Sequence, residues 1–277
     1  MKNDGKSSAW SSLLRYPIVW VIAGAIGVIL VDALFRSLTD RIEGIGSIFL
    51  TLAAGYLSIM VYILTMKFLA RRSIPELLTR RAGIETVMGV LTGAIFILGS
   101  TFIIVAMGGY SFQWATTADT STVLVSSIGA SLSAAIVEEL IFRGLLFQAI
   151  AEWKGKWLAL AATSLFFGAA HLGNSGATLW SAFAIALEAG VLLGSAFLWR
   201  RSLWFSMGLH FTWNTLEGLL GIPVSGHAAD GLFNVKLHGS ALLTGGEFGL
   251  EGSIVPVVIS LLISIPMLIG ATRNRVG

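Results

Sequence analysis

The 277-residue chain contains no cysteine. That absence excludes disulfides, thiolate metal centres, S-palmitoylation and a cysteine nucleophile together. Charge is scarce too: Asp, Glu, Lys and Arg make up 12% of the residues, against about 25% in soluble domains. The chain has no G-x-S-x-G or Ser/Lys pattern for a serine hydrolase, no H-E-x-x-H helix, and no Walker or Rossmann glycine pattern at a strand-to-helix junction. No internal repeat of fixed period is present. What is abundant is apolar: 55% of the residues are hydrophobic and the mean hydropathy is +0.83. This is the composition of an integral membrane protein. The net charge of +3 does not point to nucleic acid, because the basic residues lie between apolar runs.

Long continuous apolar segments predict helices rather than the alternating strands of an outer-membrane barrel. The expected architecture is an all-α polytopic bundle of about eight transmembrane helices: Pro17–Phe35, Ser47–Ala70, Glu85–Met107, Thr122–Ala151, Trp157–Leu172, Ala177–Trp199, Leu203–Leu220 and Ser253–Ala271. The first is too long for a signal-peptide core and reads as an uncleaved span. The fifth and seventh are short, which suits re-entrant or enclosed helices. With the N-terminus inside, one face collects Lys2, Lys6, Arg15, Lys67, Arg71, Arg72, Arg80, Arg81, Lys154, Lys156, Arg200, Arg201, Arg273 and Arg275; the other holds Arg36, Arg41 and Lys236. That asymmetry predicts two cytoplasmic termini. The chain divides into a cytoplasmic tail (1–16), three helices (17–121), a motif-bearing core (122–221), a glycine-rich non-cytoplasmic loop (222–252), and a last helix with its tail (253–277).

The core is organised around Ile136-Val137-Glu138-Glu139-Leu140-Ile141-Phe142-Arg143. A charged side chain at mid-membrane costs about 2.5–3.5 kcal/mol on insertion scales, so clustered charges there default to a functional site. Glu139 and Arg143 are four apart on one helix face and are expected to pair. Glu138 lies about 100° round from Glu139 and about 140° from Arg143, which frees its carboxylate for chemistry. A bland alternative is a structural ion pair with a spare Glu.

Two further pairs share a helix face at the same spacing. Phe167 and His171 close the fifth apolar run, where the ring can stack on the imidazole and fix it. His210 and Asn214 lie inside the seventh. Each His alone is more often a hydrogen-bonded packing residue. Together with Glu138 they place one carboxylate and two imidazoles on three spans. Such a set can hydrolyse a peptide bond without a covalent nucleophile: the carboxylate as general base toward water, a His sharing that water or protonating a leaving amine, and His/Asn donors on the oxyanion, worth about 2.7–4 kcal/mol per donor. The same Glu138, His171 and His210 match the two-His-one-Glu ligand set of catalytic zinc, which would have to be assembled from three separate spans.

These motifs, in this order, resemble those of the CPBP intramembrane proteases, the family of type II CAAX prenyl endopeptidases and of bacterial Abi and bacteriocin-immunity proteins. The resemblance covers about Thr122 to Gly221. It implies Glu138 as the catalytic carboxylate, His171 as its partner in activating water, His210 and Asn214 as the oxyanion-binding pair, and Glu139, Arg143 and Phe167 in support. It leaves both a metal-free glutamate mechanism and a zinc or other divalent-metal mechanism open; no cofactor is the expectation. The implied setting is the cytoplasmic membrane of a prokaryote, with membrane lipids and a membrane-associated peptide or protein substrate as partners. A non-proteolytic scaffold or immunity protein using the same cavity is the alternative, and a proton-relay transporter is a third, for which paired repeats are missing.

The loop from Gly221 to Gly252 holds eight glycines and reads as a solvated connector, although Glu247, Glu251, His227 and His238 could line a substrate entrance or bind a metal. Asp32 and Glu188 read as helix-end or interhelical packing acids, with Glu188 also a candidate for lining the cavity.

Overall fold

The computed structural model describes residues 16–273, apart from 43, 117–118 and 229. The expected tail at 1–15 and the last residues, 274–277, lie outside the described residues. In chain order the helices are α1 (Pro17–Thr39), α2 (Ile45–Ala70), α3 (Ala82–Ala106), α4 (Thr120–Lys154), α5 (Lys156–Ala170), α6 (Leu179–Arg200), α7 (Leu203–Leu220), the one-turn α8 (Ala241–Thr244) and α9 (Ile254–Arg273). Every predicted apolar run becomes a helix, with ends shifted by only a few residues. The molecule is an all-α polytopic membrane bundle. Six helices among the described residues are long and apolar enough to cross a membrane; α5 and α7 fall outside that set.

Apolar content alone places the outer helices. On α1, Ile18, Ile22, Ile26, Ile29 and Leu30 are exposed, while Trp20, Gly24 and Val28 form the stripe that packs inward. Small residues then set how closely helices approach. A Cβ on Gly89 of α3 would lie 2.2 Å from the Phe205 carbonyl oxygen of α7, and one on Gly93 would lie 2.6 Å from that of Leu209. On α7, Gly208 meets the backbone of Thr86 in return. This backbone-to-backbone contact encloses α7, which is why it carries Ser206, His210, Thr212, Asn214 and Glu217 in buried positions. An enclosed helix need not match the hydrocarbon thickness, and its shortness follows.

Three helices contain a wide turn: Thr65–Ala70 in α2, Leu140–Leu146 in α4 and Ala186–Val191 in α6. Such turns take carbonyls out of the regular ladder and recur at functional sites. The end of the bundle rich in basic residues is tied together by side chains. Arg200 grips Glu85 with two hydrogen bonds of 2.9 and 2.6 Å, Trp204 Nε1 donates to the Leu77 carbonyl at 2.8 Å, and Lys156 Nζ donates to that of Ala271 at 3.0 Å. Asp32 of α1 pairs with Arg36 at 2.7 Å and accepts from Ser133 of α4, so it does join two helices.

The segment between α7 and α9 corrects the reading of a solvated connector. Its strand β2 (Phe233–Leu237) pairs antiparallel with β1 (Tyr110–Trp114), which precedes α4, with Phe112 opposite Val235. The rest folds back on itself and over the bundle. Gly249 has φ of +103°, and a Cβ there would lie 1.9 Å from the Pro223 carbonyl oxygen. Gly226, at φ of +82°, would bring one to 2.0 Å from that of Ser175. Only glycine permits backbone this close, so the glycine content encodes a compact cap.

Candidate active site

The wide turn of α4 follows directly on Glu138 and Glu139. It places Arg143 so that its Nη1 donates to Glu139 Oε1 at 2.7 Å, while Nη2 donates to the Ala189 carbonyl at 3.0 Å. That carbonyl belongs to the wide turn of α6, so one irregularity supplies the acceptor that the other needs. The Arg143 guanidinium lies over the Phe167 ring, 4.8 Å from its centroid. Glu139 and Arg143 are both sealed from solvent, with side-chain exposures of 0% and 2%.

Glu139 Oε1 also accepts from His210 Nδ1 at 3.1 Å. A carboxylate already paired with Arg143 can only accept, so Nδ1 carries the proton and Nε2 points the other way. There it faces Glu138 Oε2 at 3.9 Å. Glu138 is half-buried, and its Oε2 has no hydrogen-bond partner among the described residues. His171 closes α5, and its Nδ1 meets the Phe167 carbonyl oxygen at 2.7 Å. Because a carbonyl only accepts, His171 too is held with Nδ1 protonated and Nε2 free. Its ring lies 4.8 Å from that of Phe167, tilted by 35°. Phe167 therefore fixes His171 twice, by its ring and by its backbone, and buttresses Arg143 from the same place.

Glu138, His171, His210 and Asn214 all line one cavity of about 660 Å³. Phe142, whose ring stands 4.8 Å from that of Phe167, and Trp213 add apolar wall. The four residues singled out as catalytic from the sequence are thus brought together, with Phe167 beside them, while Glu139 and Arg143 lie behind, outside the lining. Glu188 is fully buried but does not reach the cavity. Of the loop candidates, His227 and Glu251 line it; Glu247 and His238 do not, and His238 Nε2 instead sits 2.9 Å from Ser111 Oγ.

Sequence reading named Glu251 and His227 of the cap and missed Asn174 and Ser225, which hold Glu251 in place. Asn174 Nδ2 donates to the Ser225 carbonyl at 2.8 Å, and Ser225 Oγ donates to Glu251 Oε2 at 2.6 Å. No local pattern marks these residues, since the contacts join segments far apart in the chain. As to metals, no three His, Asp or Glu side chains among the described residues are gathered so as to hold an ion. Glu138, His171 and His210 are not so gathered among the described residues.

No curated protein matches the chain. Residues 120–216, the span from the start of α4 to the last turn of α7, match the family model described as type II CAAX prenyl endopeptidase Rce1-like.

Proposed function

We propose that the protein is an intramembrane endopeptidase that cleaves membrane-associated peptides, including lipid-anchored or CAAX-like segments, with water activated by Glu138 and His171. The single observation that carries this reading is the unpartnered Glu138 Oε2 in a shared cavity, 3.9 Å from His210 Nε2. That separation is too long for a direct hydrogen bond and leaves the Glu138 carboxylate open to accept from a water. The family match over the same residues supports proteolysis as the use of the cavity.

In this mechanism the Glu138 carboxylate takes a proton from water as the water attacks the scissile carbonyl carbon. His171 Nε2, held free by the Phe167 carbonyl, accepts from the same water and orients it. Asn214, which lines the cavity, donates to the developing oxyanion. His210 does so as well when Nε2 is also protonated, with the Glu139 carboxylate at Nδ1 balancing the positive ring. Glu139 and Arg143 act through His210 and through the backbone of α6, as positioning residues. The proposed placement is the cytoplasmic membrane of a prokaryote with both termini cytoplasmic, supported by the basic residues gathered at one end of the bundle.

The test compares protein termini in membranes of cells expressing wild type or Glu138→Ala at matched levels. New termini present only with wild type are expected, and they name the substrates. Identical termini, with a cellular phenotype retained by the variant, would overturn proteolysis in favour of the scaffold. Cleavage by purified protein is further expected to survive 1,10-phenanthroline; loss that zinc restores would overturn the metal-free mechanism.

A further inference from the structure

Hydrolysis as described places the water's proton on Glu138 and assigns no separate group to protonate the departing nitrogen. We propose that Glu251, carried into the cavity by the glycine-rich cap, is the general acid that protonates the leaving amine. The proposal rests on the proteolytic reading above and extends it by one residue.

Three cap residues with titratable side chains line the cavity: His227, Asp230 and Glu251. His227 and Asp230 are exposed to solvent, whereas Glu251 is 3% exposed and anchored by Ser225. The anchor is itself a special piece of backbone. Ser225 adopts φ of +49°, a left-handed conformation that non-glycine residues rarely hold, and the Asn174 and Glu251 contacts maintain it. Gly249 and Gly252 flank Glu251, and their close approaches to Pro223 and Gly245 set its direction. A strained residue and a compressed loop thus converge on one buried carboxyl at the wall of the site.

The titratable groups facing Glu251 are His171 after α5, His210 and Glu217 on α7, and Glu188 on α6. Burial holds the Glu251 carboxyl above the ordinary carboxylate range, against the hydrogen bond from the Ser225 hydroxyl, which pulls it down. A carboxyl that retains its proton in this way is suited to donate it.

The step balances. Glu138 takes one proton from water as the new C–O bond forms and the carbonyl pair moves onto oxygen. When that pair returns, the C–N bond breaks with its electrons on nitrogen, and the Glu251 proton passes to that nitrogen. The products are a carboxylic acid and an amine. Transfer of one proton from Glu138 to Glu251 through cavity water restores both groups.

The experiment uses the full-length protein in detergent with two probes: a peptide spanning a junction that wild type cuts, and the 4-nitrophenyl ester of its acyl half. An amine needs a proton to leave, whereas nitrophenolate does not. Glu251→Gln is expected to lower kcat on the peptide by about 100-fold or more, within the range of general acid catalysis, and on the ester by less than about 10-fold. Glu138→Gln is expected to lose both activities. Equal losses of Glu251→Gln on both probes, or no loss on the peptide, would overturn the assignment. If wild type cuts neither probe, the proteolytic reading falls and this proposal falls with it. Should Glu251→Gln not fold, Ser225→Ala decides. It removes a bond that favours the ionised carboxylate, so the alkaline limb of the kcat profile should move to higher pH; an unmoved limb would overturn the proposal.

Discussion

Arg143 and Glu139 offer a perturbation whose effects on stability and on activity should separate. Replacing Arg143 by Met removes a bond to Glu139 Oε1 and one to the Ala189 carbonyl, and leaves a carboxylate at 0% exposure facing His210 alone. At an effective dielectric of about 20, two unit charges about 4 Å apart interact by about 4 kcal/mol. Breaking a buried pair by removing one partner typically costs about 3–5 kcal/mol. In a protein of this size that corresponds to a fall in apparent Tm on the order of 10 °C. Replacing both residues, Glu139→Leu with Arg143→Met, removes both charges and substitutes apolar volume. Most of the lost stability should return, short of about 1–3 kcal/mol for the His210 N–H left without its acceptor. Activity should not return, because Glu139 no longer holds that nitrogen. The assays are thermal unfolding in detergent and cleavage of the same peptide by both variants. A double variant less stable than either single one, or one with wild-type activity, would refute the assignment of Glu139 as the link between Arg143 and His210.

Two further expectations concern the scaffold. Gly89→Ala would set a Cβ 2.2 Å from the Phe205 carbonyl oxygen and 2.9 Å from the Leu209 amide nitrogen, next to His210. It should lower both the apparent Tm, by an overpacking cost of about 1–3 kcal/mol or more, and kcat. Gly99→Ala on the same helix meets nothing within 4 Å and should stabilise by about 0.5–1 kcal/mol; the reverse order of melting temperatures would contradict the packing described. At the start of α4, Asp119 accepts from the hydroxyls and amides of Thr122 and Ser121, which lower its pKa to about 2. Its contribution is therefore complete above the ordinary value of about 3.9 and lost as pH falls through about 2. Faster amide exchange at Thr122 in Asp119→Ala than in wild type at neutral pH, with the gap closing toward the lowest pH, is expected.

The helices were legible because hydropathy is a local property: every apolar run became a helix, and the fifth and seventh runs, read as short, are the two outside the set long and apolar enough to cross a membrane. The Glu139–Arg143 pair was legible for the same reason, since a four-residue spacing decides it within one helix. The bond from His210 to Glu139 was not, because it joins residues 71 positions apart through the packing of α7 on α4. The β1–β2 pairing failed to register although Tyr110-Ser111-Phe112-Gln113-Trp114 alternates in character; five residues at the mouth of a loop carry little signal beside runs of twenty apolar ones. Composition misled about the cap. Glycine and polar residues read as a solvated loop when burial is unknown, yet here glycines allow backbone contact and deliver Glu251 to an interior wall.

The arrangement also shows why the site needs an enclosed helix. A carboxylate and an imidazole on a lipid-facing surface would each carry the full cost of an apolar surround. On α7, the glycines of α3 draw the backbone close, and His210 is left facing the cavity, Glu139 and the Phe167 ring. Glu139 in turn is neutralised by Arg143, and Arg143 is held by a carbonyl of the wide turn of α6. Each contact leads to the next, from α6 through α4 to α7, although Glu139 Oε2 and Arg143 Nε have no hydrogen-bond partner among the described residues, and the series ends at His210 Nε2, which faces Glu138 Oε2 at 3.9 Å. Disruption at Glu139 should reach the cavity as a change in the orientation of His210, while disruption at Arg143 should also reach His171 through the Phe167 ring that both side chains contact.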